Sequence, residues 1–457
     1  MKHIDIAEIF KNSSLINTTV TVCGWIRTAR DSKNMAFLEI NDGTSLKHLQ
    51  VVIDKASEIN VANLKSGCSV KVEGTLVPAA VNTGSVEINA TQITLLGDCP
   101  GDYPLQKKKS TLEFLRTLPE LRLRTNTFNA VFRVRSVVSS AIHNFFQSRN
   151  FVYINTPLIT GSDCEGAGEM FRVTTNGYNH PYHSEEEYYA NDFFGKKAGL
   201  SVSGQLEGEV AAMAMGKIYT FGPSFRAENS NTPRHLAEFW HVEPEVAFAE
   251  LPDVIELAED MVKYIVNTVF EKCPTELDFF ERFFEKGLKD KLKNVAESKF
   301  EVLEYTRAIE ILKSADVDFK YPVEWGCDLQ TEHERYITEQ VFKKPVFVTN
   351  YPKAIKSLYM KQNADGKTVA ATDLLVPGVG EIIGGSEREA NMDKLLKAME
   401  DKGMSVDAYQ DYLALRKYGT APHGGFGLGL ERIVMYITGM SNIRDVILYP
   451  RTVGNLR

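Results

Sequence analysis

The sequence changes character near Pro100-Gly101, and this change constrains the fold more than any other feature. Before this point, short segments with alternating or β-branched apolar residues are bounded by Gly, Asn or Asp; after it, longer helical and strand patterns follow one another. A single hydrophobic core seldom grows beyond about 250–300 residues. We therefore expect this chain of 457 residues to form a small domain at 1–100, a hinge or linker at 101–130 and a larger domain at 131–457.

Five segments of the small domain have the composition of β-strands. They are TVTVCGWIRTAR, MAFLEIND, HLQVVID, CSVKVEGTLV and VEINATQITLLG. A helical pattern is predicted between the third and the fourth, at residues 56–67. Five strands with such a helix fit a small barrel of the oligonucleotide-binding (OB) type.

The larger domain mixes helices and strands. The helical spacing of apolar residues from Val134 to Phe145 predicts an amphipathic helix, and Phe151–Ile154 predicts a strand that ends before Pro157. Residues 251–350 are predicted to be a partly helical insertion between two β-rich parts. The expected fold class is α+β: an N-terminal five-stranded barrel, then a domain built on an antiparallel sheet with flanking helices.

Charge and composition narrow the possible partners. The net charge of −8 argues against indiscriminate nucleic-acid binding, because neutralising phosphates requires Lys and Arg. Between Lys107 and Arg135, however, eight basic residues stand against two acidic ones, which fits either a solvated surface or a contact with an RNA backbone. The amino terminus lacks a secretory pattern, no apolar run approaches the ~20 residues that span a bilayer, and the six cysteines are scattered. These features predict a cytoplasmic protein that does not enter a membrane.

Three separated segments carry patterns that point to a function. The first is the predicted helix followed by Asn150–Pro157, the second is a hairpin pattern formed by Phe221–Glu228 and Ala237–Glu245, and the third is the glycine-rich Gly424–Arg432. The third segment lacks the GxGxxG spacing and the βαβ context of a dinucleotide-binding loop. In this order the segments resemble motifs 1, 2 and 3 of the class II aminoacyl-tRNA synthetases.

The resemblance extends over essentially the whole chain. An N-terminal OB barrel is typical of the class II subgroup for aspartate, asparagine and lysine. Within this subgroup, Gly166–Phe171, His235–Trp240 and Gly380–Ser386 are most similar to the bacterial asparaginyl branch. The resemblance implies a homodimeric, ATP-dependent ligase that joins L-asparagine to tRNA(Asn) through an asparaginyl-adenylate and releases AMP and pyrophosphate.

The resemblance also implies an ATP site with Mg²⁺. Arg226 is expected to bridge the substrate carboxylate and the α-phosphate, and Phe239 and Arg432 to enclose adenine between them. Mg²⁺ is expected on Glu381, with Asp373 as its companion, although their spacing of eight is one residue longer than in aspartyl relatives. Arg226, Glu381 and Arg432 are the expected catalytic residues. Further expected ATP contacts are Glu228, Arg234, His235, Leu236 and Gly429.

An amide substrate needs a donor for its oxygen and an acceptor for its nitrogen. Arg388 matches the family arginine that contacts the side-chain oxygen, and Glu243 is expected to accept from the amide nitrogen. Glu169 matches the residue that anchors the α-ammonium group, with Gln205 nearby, and Arg226 completes the amino-acid site.

The residues after Gln205-Leu206 bear on the choice between asparagine and aspartate. Aspartyl enzymes have a lysine shortly after the equivalent pair, whereas this chain has Glu207-Gly208-Glu209. We therefore expect a carboxylate ligand to meet acidic rather than basic groups, which disfavours aspartate.

Two further segments contain metal-ligand residue types. His180-Pro181-Tyr182-His183 has them in a loop, where His-x-x-His is seldom a metal site by itself, and no site is predicted there; its first two residues lie outside those that the structure describes. Glu332-His333-Glu334-Arg335 lacks the HExxH spacing of zinc enzymes, so no metal site is predicted there.

The barrel is expected to bind the anticodon. The resemblance implies that Phe37 stacks on the central anticodon uridine, that Gln50 hydrogen-bonds to it and that Arg30 contacts the same loop. Judged without the family, Phe37 is more typical of a barrel core.

Three alternative functions are less favoured. The missing lysine disfavours an aspartyl enzyme of relaxed specificity, and the barrel disfavours a tRNA-independent asparagine synthetase. A noncatalytic RNA-binding paralogue is disfavoured because Arg226, Glu381 and Arg432 are all present.

Overall fold

A computed structural model describes residues 3–81, 84–106, 110–164, 170–177 and 182–456. The chain divides into two units, Met1–Phe132 and Arg133–Arg457. The linker expected at 101–130 falls inside the first unit, and the predicted domain limits themselves stay a prediction.

The first unit contains a closed barrel. Its strands are β1 (Thr19–Asp31), β2 (Met35–Asn41), β3 (Leu49–Asp54), β4 (Ser69–Pro78) and β5 (Val86–Gly97). They pair in the order β1-β2-β3-β5-β4, and alternate residues of β2 and β4 point into a buried apolar core. The five predicted strands are confirmed.

The helix predicted at 56–67 is wrong, since the segment forms turns instead. The Asp54 carboxylate accepts from the backbone N–H of Ala56 at 2.9 Å, and the Asn60 side chain accepts from that of Ala62 at 3.0 Å. Such local side-chain bonds to the backbone compete with the helical pattern.

Helices occur throughout the chain. They are α1 (Ile6–Lys11), α2 (Leu112–Arg116), α3 (Asn126–Gln147), α4 (Glu185–Ala190), α5 (Gln205–Met215), α6 (Leu251–Lys272), α7 (Pro274–Phe283), α8 (Leu288–Glu297), α9 (Tyr305–Lys313), α10 (Thr331–Arg335), α11 (Met392–Asp401), α12 (Gln410–Lys417) and α13 (Leu430–Thr438). A π-helical segment, Tyr336–Val341, follows α10. The predicted amphipathic helix is confirmed as α3, where Val134, Val138, Ile142 and Phe145 are buried.

The second unit contains eleven strands among the described residues. They are β6 (Val152–Tyr153), β7 (Ile159–Thr160), β8 (Arg172–Val173), β9 (Ala198–Leu200), β10 (Lys217–Phe225), β11 (Glu238–Ala247), β12 (Glu301–Glu304), β13 (Val346–Pro352), β14 (Thr368–Val376), β15 (Gly380–Glu387) and β16 (His423–Gly429). Eight of them form one large sheet in the order β12-β13-β14-β15-β16-β11-β10-β6, and the other three form a small sheet in the order β7-β9-β8.

The large sheet is antiparallel except at its two edges, where β6 and β12 pair in parallel with their neighbours. Residues 251–350 contain α6 to α10 and supply β12 and most of β13 to one edge. A buried apolar cluster joins β12, β13 and β14 to α9, α11 and α12. This cluster forms a hydrophobic core between the helices and one part of the sheet, and the α+β class predicted from the sequence is confirmed.

Within the described ranges, none of the helices combines the length and the apolar character required to cross a bilayer.

Candidate active site

The second unit contains a cavity of about 570 Å³, a size typical of ligand sites. It brings together predicted residues that are far apart in sequence. Those lining it are Gln205, Arg226, Glu228, Arg234, His235, Leu236, Phe239, Glu243, Asp373, Glu381, Arg388, Gly429 and Arg432. Glu169 lies outside the described residues, and Arg30, Phe37 and Gln50 belong to the barrel.

The β10–β11 hairpin places Arg226 at the cavity. The two strands pair antiparallel from Lys217↔Val246 to Phe225↔Glu238, and the Arg226 backbone N–H then donates to the Ala237 carbonyl at 2.9 Å. The Arg226 guanidinium lies 5.4 Å from the centre of the Phe239 ring. A planar cation is thereby held against an aromatic face, which is a stabilising arrangement.

Arg432 reaches the cavity from the first turn of α13, directly after β16. Its Nη1 donates to the Glu381 backbone carbonyl at 3.0 Å and lies 3.6 Å from the Glu381 carboxylate. Burial acts to raise the pKa of Glu381, but Arg432 and Lys356 hold it below its ordinary value. Glu381 is therefore ionised among cations.

Asp373 and Glu381 occupy neighbouring strands, β14 and β15. The pairing of these strands contains a bulge: Leu374 pairs with Ile383 but Leu375 pairs with Glu381, so Ile382 is the extra residue. Such an insertion bends one strand without ending the ladder. Because Ile382 follows Glu381, the bulge does not explain the separation of eight between Asp373 and Glu381.

The two carboxylates face a common point. Asp373 Oδ1 and Glu381 Oε1 each lie 3.5 Å from the position that a Cβ on Gly384 would take. Lys356 Nζ forms an ion pair with Asp373 at 2.5 Å. Within the part of the chain that the structure describes, no group of three or more His, Cys, Asp or Glu is arranged to hold a metal. Two hard carboxylates nevertheless fit Mg²⁺, which proteins bind through one or two carboxylates plus substrate phosphates.

Glu334 was not predicted as part of the site. Its carboxylate lies 3.7 Å from Arg234 Nη1. Burial, together with the nearby Glu381, raises the pKa of Glu334 to about 8, although Arg234 opposes this effect. The Glu332–Arg335 segment contained the acidic residue, but only the tertiary structure brings it to Arg234.

Arg388 enters the cavity already paired. Its Nε donates to Glu245 Oε2 at 3.3 Å, Nη2 also bonds Glu245, and Nη1 donates to Ser386 Oγ at 2.6 Å. Burial acts to lower the pKa of Arg388, but the Glu245 carboxylate raises it above its ordinary value. Arg388 therefore offers hydrogen-bond donors whose charge is balanced.

Glu243 is held by several donors. It accepts from Ser203 Oγ, from the Gly204 N–H at 3.0 Å and from Thr220 Oγ1 at 3.0 Å, and it lies 3.1 Å from His241 Nδ1. Burial acts to raise its pKa, but His241 and these hydrogen bonds lower it to about 2. Its expected contact with a substrate amide stays a prediction.

The acidic groups near the cavity differ from those expected. Neither Glu207 nor Glu209 is among the lining residues; Glu243 and Glu245 are. The expectation that the acids after Gln205-Leu206 meet the ligand is therefore wrong, because Glu209 is fully buried in an ion pair with Arg416. Glu245 was missed although it lies two residues after Glu243, a spacing that puts both on one face of β11.

The predicted anticodon residues lie together on the barrel. Arg30 pairs with Phe37 across β1 and β2, and Gln50 pairs with Glu39 across β2 and β3. Phe37 is half-buried, between the buried Ala36 and Leu38. Phe37 is therefore on the outer face of the barrel and not in its core, so the core assignment is wrong.

Two family models match the chain. One, described as tRNA synthetases class II (D, K and N), matches residues 112–453; the other, described as an OB-fold nucleic acid binding domain, matches residues 20–96. Together they cover both units.

Relatives match over the full length. The chain is 55% identical over 460 residues to the asparagine–tRNA ligase of Clostridium kluyveri, covering 100% of this chain and 99% of that protein. It is 55% identical over 459 residues to the asparagine–tRNA ligase of Acetivibrio thermocellus, covering 99% of each. The crystal structure of asparaginyl-tRNA synthetase from Pyrococcus horikoshii complexed with asparaginyl-adenylate superposes with a TM-score of 0.88 at 32% identity, covering 100% of this chain and 99% of that chain.

Proposed function

Because the chain belongs to the class II tRNA synthetases of the aspartate, lysine and asparagine group, we propose that it joins L-asparagine to tRNA(Asn) at the expense of ATP. The reaction passes through an asparaginyl-adenylate. The observation that carries this proposal is the single cavity in which motif 2, motif 3 and the β14–β15 carboxylates meet.

Adenylate formation brings together two anions, the amino-acid carboxylate and the α-phosphate of ATP. The main requirement is therefore positioning and charge neutralisation. Arg226 has a fork of donors suited to both oxygen-bearing groups, and Arg432 adds a second cation at the same cavity. Mg²⁺, when bound, would be held by Glu381 and Asp373 and would neutralise phosphate charge.

The amino-acid end of the cavity favours an amide. Arg388 donates hydrogen bonds, but its charge is balanced by the buried Glu245. A neutral side-chain amide accepts such bonds without bringing a charge of its own, whereas a second carboxylate would bring a charge that Arg388, already matched by Glu245, does not neutralise. Gln205 lines the same cavity and belongs with the α-ammonium site.

The direct test is amino-acid-dependent exchange of pyrophosphate into ATP, followed by charging of tRNA(Asn). Asparagine is expected to support exchange, and aspartate at equal concentration to support far less. Exchange with aspartate as good as with asparagine would favour the aspartyl alternative. No exchange with either would favour the noncatalytic paralogue.

A homodimer is part of the same proposal, as is a cytoplasmic location. The segment after α3 exposes four large apolar side chains at 37–44% of their surface: Val152, Tyr153, Leu158 and Ile159. It includes the edge strand β6, and an exposed apolar edge is a surface that a partner covers. Sedimentation velocity is expected to give a dimer, and Leu158→Asp to shift it towards monomer. A monomeric unchanged chain would contradict this part of the proposal.

A further inference from the structure

A buried polar cluster lies next to the amino-acid end of the cavity. Its centre is Glu209 on α5, which is fully buried, as are His423 on β16 and the Arg416 side chain on α12. Buried charges of this kind are costly unless every one is paired and hydrogen-bonded. The proposed reaction does not explain why a carboxylate is buried at this position with so many partners.

Each oxygen of Glu209 accepts two hydrogen bonds. Oε1 accepts from Gln205 Nε2 at 3.1 Å and from the Tyr412 hydroxyl at 2.9 Å. Oε2 accepts from Arg416 Nη2 at 2.8 Å and faces His423 Nε2 at 2.8 Å. The pattern uses all four acceptor positions of a carboxylate.

Glu209 is firmly anchored as an anion. Burial acts to raise its pKa, but Arg416 and His423 hold it well below the ordinary value. Both partners are tied to the backbone in turn: Arg416 Nε donates to the Glu389 carbonyl at 2.9 Å, and His423 Nδ1 lies 2.8 Å from the Ala421 carbonyl. The Glu209 carboxylate therefore has a fixed position and stays ionised.

This anchoring decides which way Gln205 presents its amide. An ionised carboxylate can only accept, so the Gln205 group that faces Glu209 must be the NH₂. The carbonyl oxygen is then the part of the amide left for the cavity that Gln205 lines. An oxygen acceptor suits an ammonium ion, which has donors only, whereas the opposite orientation would set donors against donors.

We propose that Glu209 is a positioning residue for the amino-acid substrate, fixing the Gln205 amide so that its oxygen accepts from the substrate's α-ammonium group. Glu209 itself touches no substrate. The proposal rests on the proposed function, since it assigns the α-ammonium to this part of the cavity.

The test exchanges the two side chains. Glu209→Gln lets position 209 donate and releases the orientation of Gln205, and Gln205→Glu places two carboxylates opposite each other. Each single variant is expected to raise KM for asparagine about 10- to 100-fold, the size of one misplaced charge-assisted hydrogen bond, with KM for ATP within about threefold. In the combined variant the amide at 209 again donates to an acceptor at 205 and the formal charge is unchanged. KM for asparagine is expected to return to within about fivefold of the original.

Tyr412→Phe is the matched control. It removes the 2.9 Å bond to the same oxygen of Glu209 but leaves the bond to Gln205. Loosening of the cluster alone is expected to lower Tm in this variant while KM for asparagine stays within about threefold, since only the Gln205 bond is assigned to the substrate.

Several results would overturn the proposal. These are an unchanged KM for asparagine in either single variant, additive effects in the combined variant, or an equal rise in both KM values for Glu209→Gln and Tyr412→Phe. If Glu209→Gln does not fold on its own, KM for asparagine is compared between Gln205→Glu and the combined variant. A KM in the combined variant that is no lower than in Gln205→Glu then contradicts the proposal. Absence of asparagine-dependent exchange in the unchanged chain would instead refute the proposed function, so the two failures are distinguishable.

Discussion

Single side chains divide the cavity into regions of different charge. Arg226 and Arg432 supply cations to the part of the cavity where the proposed reaction must neutralise phosphate and carboxylate charge, and both lower the pKa of Glu381. Arg388, by contrast, is matched by Glu245. These side chains therefore separate a part of the cavity that would neutralise anions in the proposed reaction from a part that would recognise a neutral group.

Arg226→Lys tests the first region. Lysine keeps the charge but cannot contact two groups at once, so kcat/KM in pyrophosphate exchange is expected to fall about 10²- to 10³-fold. Arg307→Lys is the control, because this arginine is exposed on α9, where it pairs with Glu310 at 2.8 Å. Activity of Arg226→Lys within a few-fold of the unchanged chain would remove Arg226 from its catalytic role.

Glu334 makes stability depend on pH. Its pKa is raised from the ordinary 4.5 to about 8, so the folded protein keeps a proton that the unfolded chain has released. The resulting stabilisation is complete below about pH 4.5 and is lost as pH rises through about 8, at no more than about 1.4 kcal/mol per pH unit.

Glu334→Gln keeps the neutral form at every pH. Its Tm minus that of the unchanged chain is expected to increase between pH 5.5 and 8.5, measured by calorimetry with EDTA. Glu310→Gln, at an exposed position of α9, is expected to show a constant difference. A constant difference for Glu334→Gln as well would mean that Glu334 is ionised throughout.

The turn between β14 and β15 contains Gly378 and leads directly to Gly380, next to the cavity residue Glu381. Gly378 and Gly380 both have positive φ, of 82° and 85°. A Cβ on Gly380 would overlap the Glu334 carboxylate and lie 2.8 Å from Arg234 Nη1, whereas a Cβ on Gly378 meets nothing within 4 Å. The two glycines therefore share a backbone requirement but differ in their neighbours.

Gly378→Ala and Gly380→Ala separate these effects. Both are expected to lose about 1–2 kcal/mol of stability from the left-handed backbone. Only Gly380→Ala must also displace Arg234, so it alone is expected to raise KM for ATP, by about tenfold. Equal KM values for ATP in the two variants would show that the position of Arg234 does not matter for binding.

The proposed sites for amino-acid activation and tRNA recognition belong to different units of the chain. The cavity belongs to the second unit, while Arg30, Phe37 and Gln50 belong to the barrel. Gln50 Nε2 donates to Glu87 at 2.7 Å and Arg30 Nη2 to Glu39 at 3.3 Å, so both side chains are held on the outer surface. A substitution in the barrel should therefore leave amino-acid activation intact.

Phe37→Ala is expected to raise KM for tRNA(Asn) about tenfold or more, because stacking on a base contributes about 1–3 kcal/mol. Pyrophosphate exchange, which needs no tRNA, should be unchanged. Thr91→Ala, at an exposed position of β5, is the control for a barrel substitution outside this surface. An unchanged KM for tRNA in Phe37→Ala would remove this residue from the anticodon site.

Local sequence patterns were sufficient to predict the barrel strands and the helix α3. Alternation predicted β1 to β5, and apolar spacing predicted α3, because a strand or helix must bury one face whatever lies on the other side. The helix predicted at 56–67 was wrong because Asp54 and Asn60 bond to nearby backbone groups instead. Competition between side chain and backbone is not visible in apolar spacing.

The barrel strands, the α+β class and the family were predictable from the amino-acid sequence, since they depend on order, spacing and residue type along the chain. The partners of the buried charges were not predictable in this way and became known from the fold. Arg388 meets Glu245 across 143 positions, and Glu209 meets Arg416 across 207. Such contacts depend on which strands and helices become neighbours, and the cost of burying a charge then requires the partner that completes it.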